Sequence, residues 1–324
     1  MNGCQAFARI AAIGMLAGAA TAPITGPAHA GLTLVSADGP LAGSDTAIIV
    51  GGTTQPTPSA SFAQAVEELF LHPLGFADGA TDSMVCKMSG TDPCSAPLQV
   101  LTTPELLQQG HSSLTGASDI ALAVQNEFAA DPGAFSAEHP LTVFGYSQGA
   151  TAGSIAMTRL AEAGIPSGDL HFVFIGDPST PGGVWPNVEA DLDSVLGPNL
   201  TNLIIELADL KDVLGDVTPN DLYPATIYTL DQDAVPDWQQ DFATGGLGYL
   251  LLPGLLRHGE YLGLTPSDVA NATISTDGDI TNVDISDDIN NFGAAVTAFG
   301  QGLGDSGFFQ SLFDSLRFAL TGSF

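Results

Sequence analysis

Between Leu141 and Ala152 the chain reads LTVFGYSQGATA, an apolar run, a turn spaced by glycines and the start of an Ala-rich stretch. Val143 and Phe144 are strand residues. Gly145-Tyr146-Ser147-Gln148-Gly149 sets a serine between two glycines, and residues 150–160 are good helix formers. A strand that turns sharply into a helix lifts one residue out of the sheet, and glycines let the neighbouring backbones pass where a Cβ would collide. The hydroxyl of Ser147 is then presented beyond the sheet, next to a helix N-terminus. The first free N–H there, that of Gln148, suits a developing oxyanion. The pattern G-x-S-x-G alone is weak, because 38 glycines in 324 residues produce it by chance roughly 0.3 times. The strand before it and the helix after it give it weight over a simple glycine-rich turn, and nominate Ser147 as a nucleophile with Gln148 as an oxyanion donor.

The rest of the chain alternates in the same way. DTAIIV, residues 45–50, is a continuous apolar run that suits a strand buried on both faces. After it comes Gly51-Gly52-Thr53-Thr54-Gln55-Pro56, and Pro58-Ser59 opens a helix expected to run to about Phe70. A glycine-rich loop after an early strand is where a second oxyanion donor is placed, here Thr53, with Thr54 as its neighbour and alternative. Further strands are expected near 97–101, over 170–175 (LHFVFI) and over 225–230 (ATIYTL), with a further element, read as a strand, over 203–207. Helices are expected from Thr103-Pro104-Glu105 and over 114–130. Strands alternating with helices predict an α/β fold with a mostly parallel central sheet and helices on both faces. Residues 274–306 are rich in Asp, Asn, Gly and Thr and poor in strand and core signals. Residues 308–320 are amphipathic, suiting a docked terminal helix or, alternatively, a lid or lipid-contacting segment.

Residues 1–30 carry one charge, Arg9, then an apolar run over 10–22 and a small-x-small ending, Ala28-His29-Ala30, which is the pattern of a secretory signal peptide. The organisation expected is therefore a signal peptide over 1–30, a body over 31–273 and an acidic extension over 274–324. Cys86 and Cys94 remain after export, eight residues apart in a polar loop, and are read as a local disulfide. Two cysteines at that spacing without nearby His lack the ligand count of a zinc site. The formal net charge is −30, with six Lys and Arg in total. Such a surface repels nucleic acid and anionic head groups and favours a neutral substrate.

A nucleophilic serine needs a base, and in sheets of this type the order along the chain is Ser, then Asp or Glu, then His. His72, His111 and His139 precede Ser147, and His171 begins an apolar strand. His258, in Leu256-Arg257-His258-Gly259-Glu260-Tyr261, is expected on a loop and follows a plausible acid. That acid belongs on a loop after a late strand. Asp233 fits, Asp231 and Asp237 compete, and Asp177 also ends a strand.

IIVGGTTQPTPS, PLQVLTTPELL, VFGYSQGAT, FVFIGDPSTPGG, YPATIYTLDQDAVPDW and RHGEY, in this order over residues 45–265, resemble the PE-PPE domain, a serine α/β-hydrolase family related in fold to cutinases. The resemblance implies an esterase or lipase fold with Ser147 as nucleophile, Asp233 as acid, His258 as base, and Thr53 beside Gln148 in an oxyanion hole. Family members often read GYSQS where this chain has Gly149. A signal peptide rather than a PE or PPE module is expected before the domain, and the region after about 270 departs from the pattern. The expectation is a secreted or envelope-located enzyme that hydrolyses small-molecule or lipid esters of short to medium acyl chain, without metal or organic cofactor. Peripheral contact with envelope lipids fits the terminal segment, and no oligomeric state is implied. Acyl transfer between envelope glycolipids uses the same residues, and a non-catalytic envelope-binding protein on the same scaffold is the alternative from another class.

Overall fold

The computed structural model describes residues 39–77, 85–249 and 254–286. Among these residues the strands in chain order are β1 (Ala47–Val50), β2 (Val85–Lys87), β3 (Leu98–Val100), β4 (Leu141–Tyr146), β5 (Leu170–Ile175), β6 (Ala225–Leu230), β7 (Thr273–Asp277) and β8 (Ile280–Ile285). They form one sheet in the order β2-β3-β1-β4-β5-β6-β8-β7. All neighbours are parallel except β7 and β8. The fold is α/β, a mostly parallel sheet with helices on both faces.

Every residue of β1, β3, β5 and β6 is buried, as expected of parallel strands covered on both faces. Ile49, Phe144, Val173, Ile175 and Tyr228 point to one face with α1 (Ala60–Val66). Ile48, Val143, Phe172, Phe174 and Ile227 point to the other, where α2 (Gln109–Ala130) and α3 (Gln148–Glu162) pack. Alternation along each strand divides these two cores. Ser59 caps α1 by accepting the Phe62 N–H at 3.1 Å. A wide helical turn over Glu67–Leu71 then carries the chain on, so the expected helix is continued with a change of winding.

The chain lays β2 and β3 to one side of β1 and then returns to place β4, β5 and β6 on the other side. Winding direction therefore reverses between β1 and β4. In open parallel sheets a crevice forms outside the carboxyl ends of the strands at such a reversal.

Four expectations need correction. Residues 203–207 are not a strand but the end of α5 (Pro198–Leu207), which follows α4 (Val184–Leu196). An apolar run of that length has no decisive period, and Pro198 in the first turn starts a helix. Thr103-Pro104-Glu105 starts no helix. Glu105 has φ +44°, outside the right-handed helical range, and the Thr103 N–H donates to the Pro56 carbonyl at 3.0 Å, so the helix begins only at Gln109. His258 ends a single helical turn, α7 (Leu255–His258), rather than lying on a loop. Residues 274–286 do not open an extension. They are β7 and β8, joined through Asp277-Gly278-Asp279, with Gly278 at φ +59° and Ile280, Val283 and Ile285 buried. An Asp-Gly pair with positive φ is a hairpin signal that the polar composition hid. The expected signal peptide and the terminal amphipathic helix lie outside the described residues.

Candidate active site

Ser147 sits between β4 and α3 with φ +55° and ψ −116°, a conformation that L residues rarely adopt. The two flanking glycines are there for space. A Cβ on Gly145 would stand 2.5 Å from the Gly149 carbonyl oxygen and 2.8 Å from the Ala150 nitrogen, and one on Gly149 would strike the carbonyl oxygen of Gly51. The elbow thus presses α3 against β4, and the loop after β1 against α3. Placed there, Ser147 stands at the carboxyl edge of the sheet beside the winding reversal.

The imidazole of His258 reaches it from the far side. Its Nε2 lies 2.8 Å from Ser147 Oγ and its Nδ1 lies 2.8 Å from Asp233 Oδ2. A carboxylate can only accept, so Nδ1 carries the proton and Nε2 is left to accept from the serine hydroxyl. Asp233 is fully buried in the loop after β6. Its Oδ1 accepts the Val235 N–H at 3.0 Å, and Oδ2 accepts a second bond, from the Tyr261 hydroxyl, at 2.8 Å.

His258 is held on several sides. The Tyr146 hydroxyl donates to the His258 carbonyl at 2.7 Å, and its ring stacks on the imidazole at 5.3 Å between centroids. Arg257 donates from Nε to the Asp231 carbonyl at 3.0 Å and from Nη1 to Glu260 at 2.6 Å, tying α7 to the loop that carries Asp233. Gly176, at the end of β5, lies under the ring, where a Cβ would stand 2.6 Å from His258 Cε1.

On the opposite side of Ser147 is the loop after β1. A Cβ on Gly52 would stand 3.1 Å from Ser147 Cβ, so the backbone of this loop passes close to Ser147 at Gly52. Gln109 Nε2 donates to Thr53 Oγ1 at 3.2 Å. Thr54 does not serve as the alternative donor, because its N–H is given to the Glu105 carbonyl at 2.7 Å. Gln148 keeps its side chain away from the reacting side. Nε2 donates to the Leu106 carbonyl at 3.0 Å, and Oε1 accepts from Ser112 at 3.1 Å. Its backbone N–H belongs to the first turn of α3, where helices leave donors unused.

The competing acids sit in other surroundings. Asp177 is buried, accepting from the Thr218 hydroxyl at 2.6 Å and the Ser179 N–H at 2.9 Å, and burial pushes it up to about 6. Asp231 offers its carbonyl to Arg257. Asp237 is raised to about 8 by burial and by the charges of Asp233, Asp241, Asp231 and Asp284. Glu105, behind the β1 loop, is raised to about 8 by burial. Residues 146, 257, 260 and 261 were missed in the sequence as parts of the site, although all four stand inside the GYSQG and RHGEY segments that drew attention to it. Cys86 and Cys94 form a disulfide next to the far edge of the sheet. Among the described residues no group of His, Cys, Asp and Glu is arranged to hold a metal ion.

Residues 94–240 match the PE-PPE domain. This segment contains Ser147, Gln148 and Asp233 and ends before His258. The chain is 28% identical over 194 residues to the uncharacterized PPE family protein PPE28 of Mycobacterium tuberculosis, covering 59% of this chain and 25% of that protein. It is 28% identical over 241 residues to esterase PE16 of the same organism, covering 72% of this chain and 39% of that one. It thus spans well under half the length of either relative. Among solved structures, an esterase of Pyrobaculum calidifontis aligns over 85% of this chain and 77% of its own at 10% identity, with a TM-score of 0.35. A likeness that loose leaves the fold to rest on the strand order.

Proposed function

We propose that this chain, whose residues 94–240 match the PE-PPE domain, is a serine carboxylic-ester hydrolase in which Ser147, His258 and Asp233 act as nucleophile, base and acid. The observation that carries this reading is the unbroken line of hydrogen bonds from Ser147 Oγ through both imidazole nitrogens to Asp233, each 2.8 Å long. His258 takes the hydroxyl proton as Ser147 Oγ attacks the ester carbonyl. Negative charge forms on the carbonyl oxygen, and the N–H groups of Gln148 and Thr53 receive it. The tetrahedral adduct collapses, His258 protonates the departing alcohol, and an acyl-serine remains. Water attacks that ester by the same steps in reverse, giving the acid and free Ser147. Asp233 holds the tautomer that makes Nε2 the acceptor and stabilises the imidazolium while it exists.

The relative called an esterase favours ester chemistry. Short to medium acyl chains are proposed for the substrate. Export of the chain is also proposed, and it agrees with the Cys86–Cys94 disulfide, since such bonds persist in oxidising compartments.

The test is hydrolysis of p-nitrophenyl esters of increasing chain length by wild type and Ser147→Ala. Turnover in wild type is expected to fall by about 10⁴-fold or more in the variant, with its circular dichroism spectrum unchanged. A folded wild type without turnover, or a Ser147→Ala protein that keeps it, sinks the reading.

A further inference from the structure

We propose that Tyr261 is a positioning residue that acts through Asp233 and sets how strongly His258 draws the proton of Ser147. The inference rests on the triad reading above. Tyr261 lies three residues after His258 and is 1% exposed. Its hydroxyl accepts the Leu230 N–H at 3.0 Å, and with that side occupied its own proton points to Asp233 Oδ2, 2.8 Å away. Leu230 is the last residue of β6, so the carboxylate is pinned to the end of a buried strand. The same ring stands edge-on to His258, with centroids 6.2 Å apart and planes at 84°. Burial and the Asp233 charge raise the phenol well above its ordinary range, so it remains a donor.

Oδ2 therefore divides its charge between the imidazole and a phenol. Removing the phenol proton donor has two consequences with different signatures. The carboxylate, left with the Val235 N–H on its other oxygen, loses the contact that fixes its angle, which lowers turnover. Its undivided charge also faces Nδ1, stabilises the imidazolium and raises the basicity of His258. The other ionisable groups around the pair stay in place: Asp231 and Asp237 in the same loop, Arg257 with Glu260, and Tyr146 on the ring.

The experiment measures kcat and KM for p-nitrophenyl butyrate across about pH 5 to 9, where a histidine base titrates. It compares wild type, Tyr261→Phe, a protein with 3-fluorotyrosine at position 261, and Ser147→Ala. Tyr261→Phe is expected to lose about tenfold in kcat, the worth of one hydrogen bond in the transition state, with KM within about twofold. Its acidic limb in kcat/KM moves to higher pH by about half a unit. Fluorotyrosine is a stronger donor of the same shape, and its limb moves to lower pH. Acidic limbs that coincide in wild type and both Tyr261 proteins overturn the inference while Ser147→Ala stays inactive. If Tyr261→Phe does not fold, the direction of the fluorotyrosine limb decides alone. Activity retained in Ser147→Ala overturns the triad and the inference together.

Discussion

An imidazole between an acceptor and a hydroxyl works as a base only in one tautomer, and in the proposed triad Asp233 is the group that selects it. Replacing it with Asn puts an amide of nearly the same shape there, but one that can donate as well as accept. The amide then satisfies an unprotonated Nδ1, and the proton sits on Nε2, facing Ser147 Oγ at 2.8 Å, where it blocks proton transfer. Asp233→Asn is expected to lower kcat by about 10³- to 10⁴-fold while the melting temperature changes little, which steady-state kinetics and a thermal melt will check together. The proposed Ser147 and His258 were legible from the order Ser, acid, His along the chain, and Asp233 only as one of several acids near strand ends. Tyr261 was not. Nothing local tells a tyrosine which buried acceptor it will meet, and its two partners, Leu230 and Asp233, lie far back in sequence and are brought to it only by the packing around β6.

At the level of elements, the elbow is a contact between three backbones, and its glycines are set by sterics. Gly145→Ala introduces a Cβ 2.5 Å from the Gly149 carbonyl oxygen and 2.7 Å from its carbon, groups that cannot swing aside as a side chain can. The variant is expected to lose about 2 kcal/mol of stability, read by urea unfolding, and a larger share of activity than of stability because the strain falls on Ser147. β1, β4, β5 and β6 were readable as strands because burial on both faces leaves short stretches rich in apolar, β-branched and aromatic residues. β8 was hidden because only Ile280, Val283 and Ile285 of its six residues are buried and the rest are polar. Its place beside β6 depends on a hairpin rather than on composition. α5 was misread for the opposite reason: LIIEL is apolar enough for a strand, yet Leu203 and Leu207 are exposed on a helix.

The whole molecule carries a net charge of −30 with six Lys and Arg, and it nevertheless buries carboxyl groups. Glu105 is 1% exposed and is raised by burial from 4.5 to about 8. Between those two values the folded protein keeps a proton that the unfolded chain has released. Stability attributable to this group therefore falls as pH rises from 4.5 towards 8 and is constant above that. Asp237, raised to about 8, adds to the same slope. Melting temperature is expected to decline from about pH 5 to pH 9, more steeply at low salt, where like charges repel over longer distances. Glu105→Gln, neutral at every pH, is expected to flatten the decline. Scanning calorimetry of both proteins at two salt concentrations will check this, and equal slopes would show that Glu105 is not its source.

Tyr146 and Ser147 are consecutive, and their side chains grip the two ends of the same partner: one holds the backbone oxygen of His258, the other meets its ring. The tolerance on the reacting distance is thus governed at one end by a single peptide bond, as with two prongs on a common handle. If the outer loops shift, the histidine travels with the strand end that bears the serine, and the gap between them is the last dimension of the site to drift.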